Sequence, residues 1–350
     1  GASTMKTVDI VIDNYNYARF LRGAIESALA QTHPATRVIV VDDGSTDESR
    51  AIVEQYGERV LAVFNDHGGQ ASAFNTGFMK GSGDVVMFLD ADDELLPDTA
   101  ARVVDALDHD PRRVKLQFRL EVIDESGRRT GERKPPDHVP MPDGDVREQC
   151  LAHPFDMAWL PTSGMAFPRA TLQRVFPLAE GADVGADWTL QYVVPLFGPV
   201  RSEPWIGGRY RVHGANRYER GGTLDLEHLR HVVALAGTTR VELRRVAAEL
   251  GLEAGDLLSV SDAANRLILR RLDRARSNES VWSLVSMGWR AASRRRDVSP
   301  LLRAAFRAWF VLMAIAPAPA CKWLAAQFVA PQRRAGLNSL IKLLHQRRVS

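Results

Sequence analysis

Asp90, Asp92 and Asp93 follow directly on the apolar run Val85-Val86-Met87-Phe88-Leu89, with only Ala91 among them. Carboxylates at that spacing repel one another unless a cation sits between them, and hard divalent cations choose oxygen ligands. The natural partner is a Mg2+ or Mn2+ ion carrying a diphosphate. The bland alternative is a solvated acidic turn that caps the helix starting near Pro97. Two further polar pairs end apolar runs upstream: Asp13-Asn14 after Val8-Asp9-Ile10-Val11-Ile12, and Asp42-Asp43 after Val38-Ile39-Val40-Val41. An acid at the end of an early strand suits a nucleoside, accepting from an imide N–H or a ribose hydroxyl. An acid at the later strand suits a metal. Any one of them could cap a helix; three converging on one sheet edge point to a site.

The elements that must position them can be read from the same runs. Five apolar residues with no turn former predict a buried strand of a parallel sheet, and open α/β sheets place their ligands at the carboxyl ends of such strands. From Tyr17 to Gln31 the apolar positions Leu21, Ile25, Ala28 and Leu29 have the spacing of a helix laid on a sheet, and Pro34 ends that unit. After Asp42-Asp43-Gly44-Ser45-Thr46-Asp47, Ser45 or Thr46 is placed to cap a helix running to about Tyr56. Val60 to Phe64 predicts a third strand. Gly68-Gly69, a helix from about Gln70 to Lys80 and the turn Gly81-Ser82-Gly83 lead back to Val85. Alternating strands and helices with short links predict an α/β fold with a parallel, doubly wound sheet. A dinucleotide-binding glycine fingerprint is excluded: the first turn has no glycine, and Gly81 and Gly83 precede a strand instead of following one.

Taken in order, these segments resemble the inverting family 2 glycosyltransferases of the GT-A fold. The resemblance rests on Ile12-Asp13-Asn14-Tyr15-Asn16, Ala28-Leu29-Ala30-Gln31-Thr32 and Val40-Val41-Asp42-Asp43-Gly44-Ser45-Thr46-Asp47. It continues through Gly68-Gly69-Gln70-Ala71-Ser72-Ala73-Phe74-Asn75-Thr76-Gly77 to Phe88-Leu89-Asp90-Ala91-Asp92-Asp93. It implies a mostly parallel sheet with flanking helices, and a donor site in which Tyr15 and Asp43 hold nucleobase and ribose with Asp13 beside them. Gln70 and Asn75 join that donor set, Asp90 contacts the ribose or the metal, and Asp92 ligates the metal. Two positions depart from the family pattern. Asp13 stands where Pro or Thr is usual, and Phe74 stands where many members carry an Arg, which removes one phosphate-binding cation.

Downstream, a helix is expected from about Pro97 to Leu107 and a strand from Val114 to Ile123, followed by a polar surface loop or flap from Asp124 to Asp145. Trp159 to Phe167 is apolar around Pro161-Thr162-Ser163-Gly164, a region that by resemblance returns beneath the acceptor site. Asp187-Trp188 sits where the family has an Asp before an aromatic at a helix start, although the preceding acid is Ala186 here. Displacement at an anomeric carbon needs a base for the acceptor hydroxyl, and the resemblance assigns Asp187. The alternative reading of Asp187 is an N-cap for a helix from Trp188 to Leu196, and Asp183 is the fallback base. His213, ahead of Gly214 and Asn216, resembles the family's strand-end histidine and can complete the metal site, and Arg217 can face the diphosphate bidentately.

The implied activity is metal-dependent, inverting sugar transfer from a nucleotide-diphosphate sugar, UDP-sugar before dTDP or GDP, to a hydroxyl of a glycan or lipid-linked acceptor. Cell-surface polysaccharide or glycolipid synthesis is the expected setting. A nucleotidyltransferase would need a glycine-rich basic phosphate loop near the first strand, which is absent. A catalytically inactive nucleotide-binding scaffold of the same fold is the alternative.

Two domains are expected in the 350 residues: the catalytic domain over 5–222 and a helical region over 223–350. Gly1-Ala2-Ser3-Thr4 ahead of Met5 reads as an expression remnant, with no signal peptide after it. Cys150 and Cys321 form no disulfide framework, which fits a reducing, cytoplasmic compartment. The chain is 45% hydrophobic and 25% charged with net charge +2, but the charge is uneven. From Val281 onward there are twelve Lys and Arg against the single acid Asp297, interleaved with Trp282, Trp289, Trp309 and Trp323. The apolar run Ala308–Ala316 stops at Pro317, too short to span a bilayer. This pattern suits peripheral attachment to an anionic membrane, on the inner face of the plasma membrane. A helical cap or homo-oligomer interface is the alternative, and no recognised module argues for nucleic acid.

Overall fold

The computed structural model describes residues 5–181, 185–214, 224–273 and 278–329. They divide into two compact units, one of residues 1–147 and 158–213, the other of 148–157 and 214–350.

In the first unit the chain runs β1 (Val8–Asn14), α1 (Ala18–Leu29), β2 (Thr36–Asp42), α2 (Ser49–Glu54), β3 (Leu61–Phe64), α3 (Gln70–Lys80) and β4 (Val85–Asp90). There follow β5 (Glu94–Leu95), α4 (Thr99–Asp108), β6 (Lys115–Ile123) and β7 (Arg129–Lys134). After α5 (Arg147–Ala152), which apart from its first residue belongs to the second unit, the first unit continues with β8 (Met165–Pro168), α6 (Arg169–Leu172), α7 (Ala186–Trp188) and β9 (Val200–Arg211). All nine strands form one sheet in the order β3-β2-β1-β4-β8-β6-β9-β5, with β7 beside β6. The expected parallel winding holds for β3-β2-β1-β4. Beyond β4 the sheet is mixed, because β8 enters antiparallel to both β4 and β6 while β9 runs parallel to β6.

The uninterrupted apolar runs of β1, β2 and β4 follow from burial on both faces. Ile10 and Ile12 pack with Leu21 and Ile25 of α1 on one side, while Val11 packs with Phe74 of α3 on the other. α3 lies close on the sheet at Gly77, where a Cβ would meet Val11 Cγ1 at 2.2 Å.

The stretch 124–145 is more ordered than a flap. β7 pairs with β6, and the Arg119 guanidinium donates to the carbonyls of Pro135 (2.6 Å), Pro136 (2.9 Å) and Val139 (3.1 Å). The helix expected over 188–196 is irregular: after α7 the chain widens into a π turn over Thr189–Val193 and tightens into a 3-10 turn over Val194–Phe197. Pro195, which has no N–H to continue an α-helical ladder, accounts for the break.

The second unit holds α8 (Leu226–Glu249), α9 (Val260–Leu272), α10 (Val281–Arg294), α11 (Pro300–Ile315) and α12 (Ala318–Val329). Its core joins Leu229, Leu267, Leu284, Phe310, Met313 and Cys321. α10 and α11 cross closely at Gly288, where a Cβ would stand 2.2 Å from the Phe310 ring. No helix among the described residues is long and apolar enough to cross a membrane.

Candidate active site

The strand register brings the acids together. Asp13 lies opposite Asp90 across the β1–β4 pair, and Asn14 lies opposite Asp42 across β1–β2. The turns after β1 and β2 are tied to each other. Asn14 Nδ2 donates to Asp42 Oδ1 (2.7 Å) and Ser45 Oγ (3.1 Å), and Asn16 Oδ1 accepts from Thr46 N (2.7 Å). Ser45 and Thr46 therefore join the two turns, and neither caps α2 as expected; Asp47 accepts from Ser49 N there instead (2.9 Å). Asn16 adopts the left-handed conformation (φ 58°), which asparagine tolerates better than most residues.

Asp43 is 3% exposed and accepts from the loop ahead of α3: His67 Nδ1 at 2.8 Å, Gly68 N at 3.0 Å and Gly69 N at 2.8 Å. His67 in turn stacks on Tyr15, ring centroids 4.0 Å apart. Asp43 and Tyr15, both expected to hold the nucleoside, are thus joined through His67, which the motif reading did not single out. Its signal was a histidine directly before Gly68-Gly69.

At the metal end, Gln70 Nε2 lies 3.4 Å from both Asp13 Oδ2 and Asp90 Oδ1. One oxygen each from Asp90, Asp92 and Asp93 lie within 4.8 Å of one another. Burial pushes Asp13 up to about 7, with the charge of Asp92 adding to it and the Gln70 amide opposing it. Burial also raises Asp90 well above the usual carboxylate range, followed by the charges of Asp13, Asp93, Asp92 and Asp187. Asp93 is raised by burial and by Asp92. Asp13 Oδ1 and Asp93 Oδ2 are buried with no hydrogen-bond donor. Acceptor-only oxygens crowded together without donors fit a hard divalent cation, which supplies the missing positive charge.

His213 Nε2 lies 2.9 Å from Asp92 Oδ2, so the two expected metal ligands meet. The imidazole sits against Phe20 (4.8 Å) and Tyr17 (5.6 Å), which fix its plane. Arg211 steadies the same turn: its N–H donates to Asp93 Oδ1 (2.9 Å) and its Nε to the Asp92 carbonyl (2.9 Å). Ser163, in the short turn before β8, accepts from Asp90 N at 3.1 Å, and its hydroxyl also hydrogen-bonds Asp93. Asp187 is buried at 6% exposure, and its Oδ1 accepts from Trp188 N (2.9 Å) inside the helical turn; Gly185, not Asp187, occupies the N-cap position. Its charge is among those that raise Asp90.

Asn75 is placed differently from the rest of the donor set. Its Nδ2 donates to the Leu178 carbonyl (2.9 Å) and Glu180 Oε1 (3.1 Å), and its Oδ1 accepts from Leu178 N (2.7 Å). These bonds hold the segment Leu178–Glu180. Asp183 and Arg217 lie outside the described residues.

The sheet has the GT-A fold, with the acidic group at the carboxyl ends of its strands. The family model described as "Glycosyl transferase family 2" matches residues 9–167, so that segment is similar to the family. An uncharacterized glycosyltransferase of Nostoc sp. is 34% identical over 216 residues, 60% of this chain and 66% of that relative, so the match covers less than two thirds of the relative's length. Among solved structures, S. aureus TarS 1-349 in complex with UDP-GlcNAc aligns with TM-score 0.53 at 14% identity, covering 94% of this chain and 92% of that one. The mannosyltransferase PcManGT from Pyrobaculum calidifontis, in complex with GDP-Man and Mn2+, aligns with TM-score 0.52 at 19% identity, covering 93% and 86%. At these identities the likeness is one of fold.

Proposed function

We propose that the chain transfers a sugar from a nucleotide-diphosphate sugar to an acceptor hydroxyl with inversion at the anomeric carbon. The observation that carries this reading is the meeting of Asp13, Asp90, Asp92, Asp93 and His213 at one sheet edge, with Asp187 close enough to perturb Asp90. Asp92 and His213, with Asp90 or Asp93, would hold Mg2+ or Mn2+. The fold neighbour bound to GDP-Man and Mn2+ supports a divalent ion and a nucleotide donor. When bound, the ion neutralises charge on the departing diphosphate. The chain's own groups do the rest. Tyr15 and His67 flank the nucleobase, and Gln70 orients the carboxylates of Asp13 and Asp90. Asp187 takes the proton of the acceptor hydroxyl as its oxygen bonds to the anomeric carbon and the bond to the diphosphate breaks, the electron pair leaving with the diphosphate. The donor is a UDP-sugar before a dTDP or GDP one, and the acceptor is a glycan or a lipid-linked glycan.

The test is release of free nucleoside diphosphate from a panel of nucleotide sugars with acceptor present. Asp187→Asn keeps shape but accepts no proton at neutral pH. Its turnover should fall about 100-fold or more, the usual span for a lost general base, while donor binding persists. Near-normal turnover would move the role to Asp183. Donor binding with no release by the natural chain would favour the inactive scaffold.

A further inference from the structure

After Pro300 at its start, the exposed positions of α11 are Leu301, Ala304, Ala305, Ala308, Leu312 and Ile315. Their spacing follows the turn of an α-helix, so they form one face along its length. None carries a charge or a polar side chain. The opposite face, with Phe310, Met313 and Ala314, is buried in the helical core. A helix on the outside of a soluble unit ordinarily shows polar residues there. Here Leu301, Leu312 and Ile315 are 59%, 50% and 63% exposed. The helices on either side in sequence expose large aromatics as well: Trp282 and Trp289, two turns apart on α10, and Trp323 on α12.

We infer that this face of α11 rests on an anionic lipid surface, with the flanking tryptophans at the headgroup level. Charge decides among the occupants. Among the described residues from Val281 onward stand seven Lys and Arg and one acid, Asp297; Arg294 pairs with Asp256 (3.0 Å), and Arg295 with Asp156 (3.2 Å) and Asp297 (2.7 Å), which leaves Arg290, Arg303, Arg307 and Lys322 on α10–α12 as the cations of the argument. A second copy in a self-complementary interface would set these basic helices against one another with almost no acid to pair them. An anionic membrane supplies the opposite charge and a medium for the apolar face together. With 16 residues, α11 is shorter than the roughly 20 a spanning helix needs, so it lies on the surface and does not cross it.

The test uses the full chain and two vesicle types, phosphatidylcholine alone and phosphatidylcholine with phosphatidylglycerol. Co-sedimentation is expected with the anionic vesicles only, and it should weaken without vanishing as salt rises, because charge is screened and apolar burial is not. Leu312→Glu with Ile315→Glu places two charges in the face at exposed positions. It should weaken vesicle binding about tenfold or more with the unfolding midpoint unchanged. Arg290→Gln with Arg303→Gln leaves the face intact and should lower only the salt-sensitive part; it alone decides if the glutamate variant fails to fold. Absent binding at low salt, or binding that neither variant alters, overturns the inference. So does an oligomer that the glutamate variant dissociates, since a second copy would then cover the face.

Discussion

At the scale of single residues, Asp43 has little surface left for a ligand. Three donors from the His67–Gly69 loop occupy its carboxylate, and it is almost enclosed. What faces outward is the pair it holds in place: Tyr15, 41% exposed, and the His67 ring stacked on it. If the proposed function holds, a nucleobase here would meet a flat aromatic ledge before it met the acid. Aromatic stacking contributes about 0.5–1.5 kcal/mol beyond buried area. His67→Ala should therefore weaken nucleoside diphosphate binding by roughly three- to tenfold. His67→Phe, which keeps the ring and loses the bond to Asp43, should recover part of that loss. Calorimetry with UDP, dTDP and GDP checks both; an unchanged affinity in His67→Ala would remove the ledge from the base site.

At the scale of elements, the acidic edge depends on how closely α3 sits on β1. Gln70 at the start of α3 reaches Asp13 and Asp90, and Asn75 one turn further on ties down the segment Leu178–Glu180. The helix takes this position because Gly77 has no side chain to hold it off the fully buried Val11. Gly77→Ala would gain about 1 kcal/mol of helix propensity, but overpacking a tight core costs about 1–3 kcal/mol. A net loss of stability is expected in denaturant titration. A shift of α3 also moves Gln70 and Asn75, so nucleotide binding should weaken in the same variant while it is still folded. A stabilised variant with full affinity would show that α3 has room to spare.

For the molecule as a whole, the acidic group links stability, pH and metal. Asp13 stands at about 7 in the folded state, against about 4 for an unfolded chain, so folding holds a proton that unfolding releases. The stability this represents is fully present below about pH 4 and is lost as pH rises toward about 7; the raised Asp90 and Asp93 act in the same direction. On the proposed function, a divalent cation would bind the deprotonated carboxylates of the folded state and oppose that loss. Mn2+ should therefore raise the melting temperature more at about pH 8 than at about pH 5. Asp92→Ala should remove most of the increment. Equal increments at both pH values would mean that the cation binds elsewhere.

Much of this could be read along the chain. Each strand run carries its own acids at its carboxyl end, and parallel winding collects those ends along one edge, so the acidic edge formed by β1, β2 and β4 was legible in the sequence. The periodicity of α1 was equally local, since an apolar face is written into the spacing of its residues. What required the tertiary structure were choices among partners far apart in sequence. Whether Asn75 meets a donor or the Leu178 main chain turns on contacts more than 100 positions away. The seating of His67 between Tyr15 and Asp43 depends on three separate turns, and Ser45 joins the first two of those turns instead of capping its own helix. On α11, both faces are apolar, so composition alone could not tell which side the core would take. Local sequence sets what a segment can form; which of several equally suitable partners a polar group or an apolar face finds is decided when the chain closes on itself.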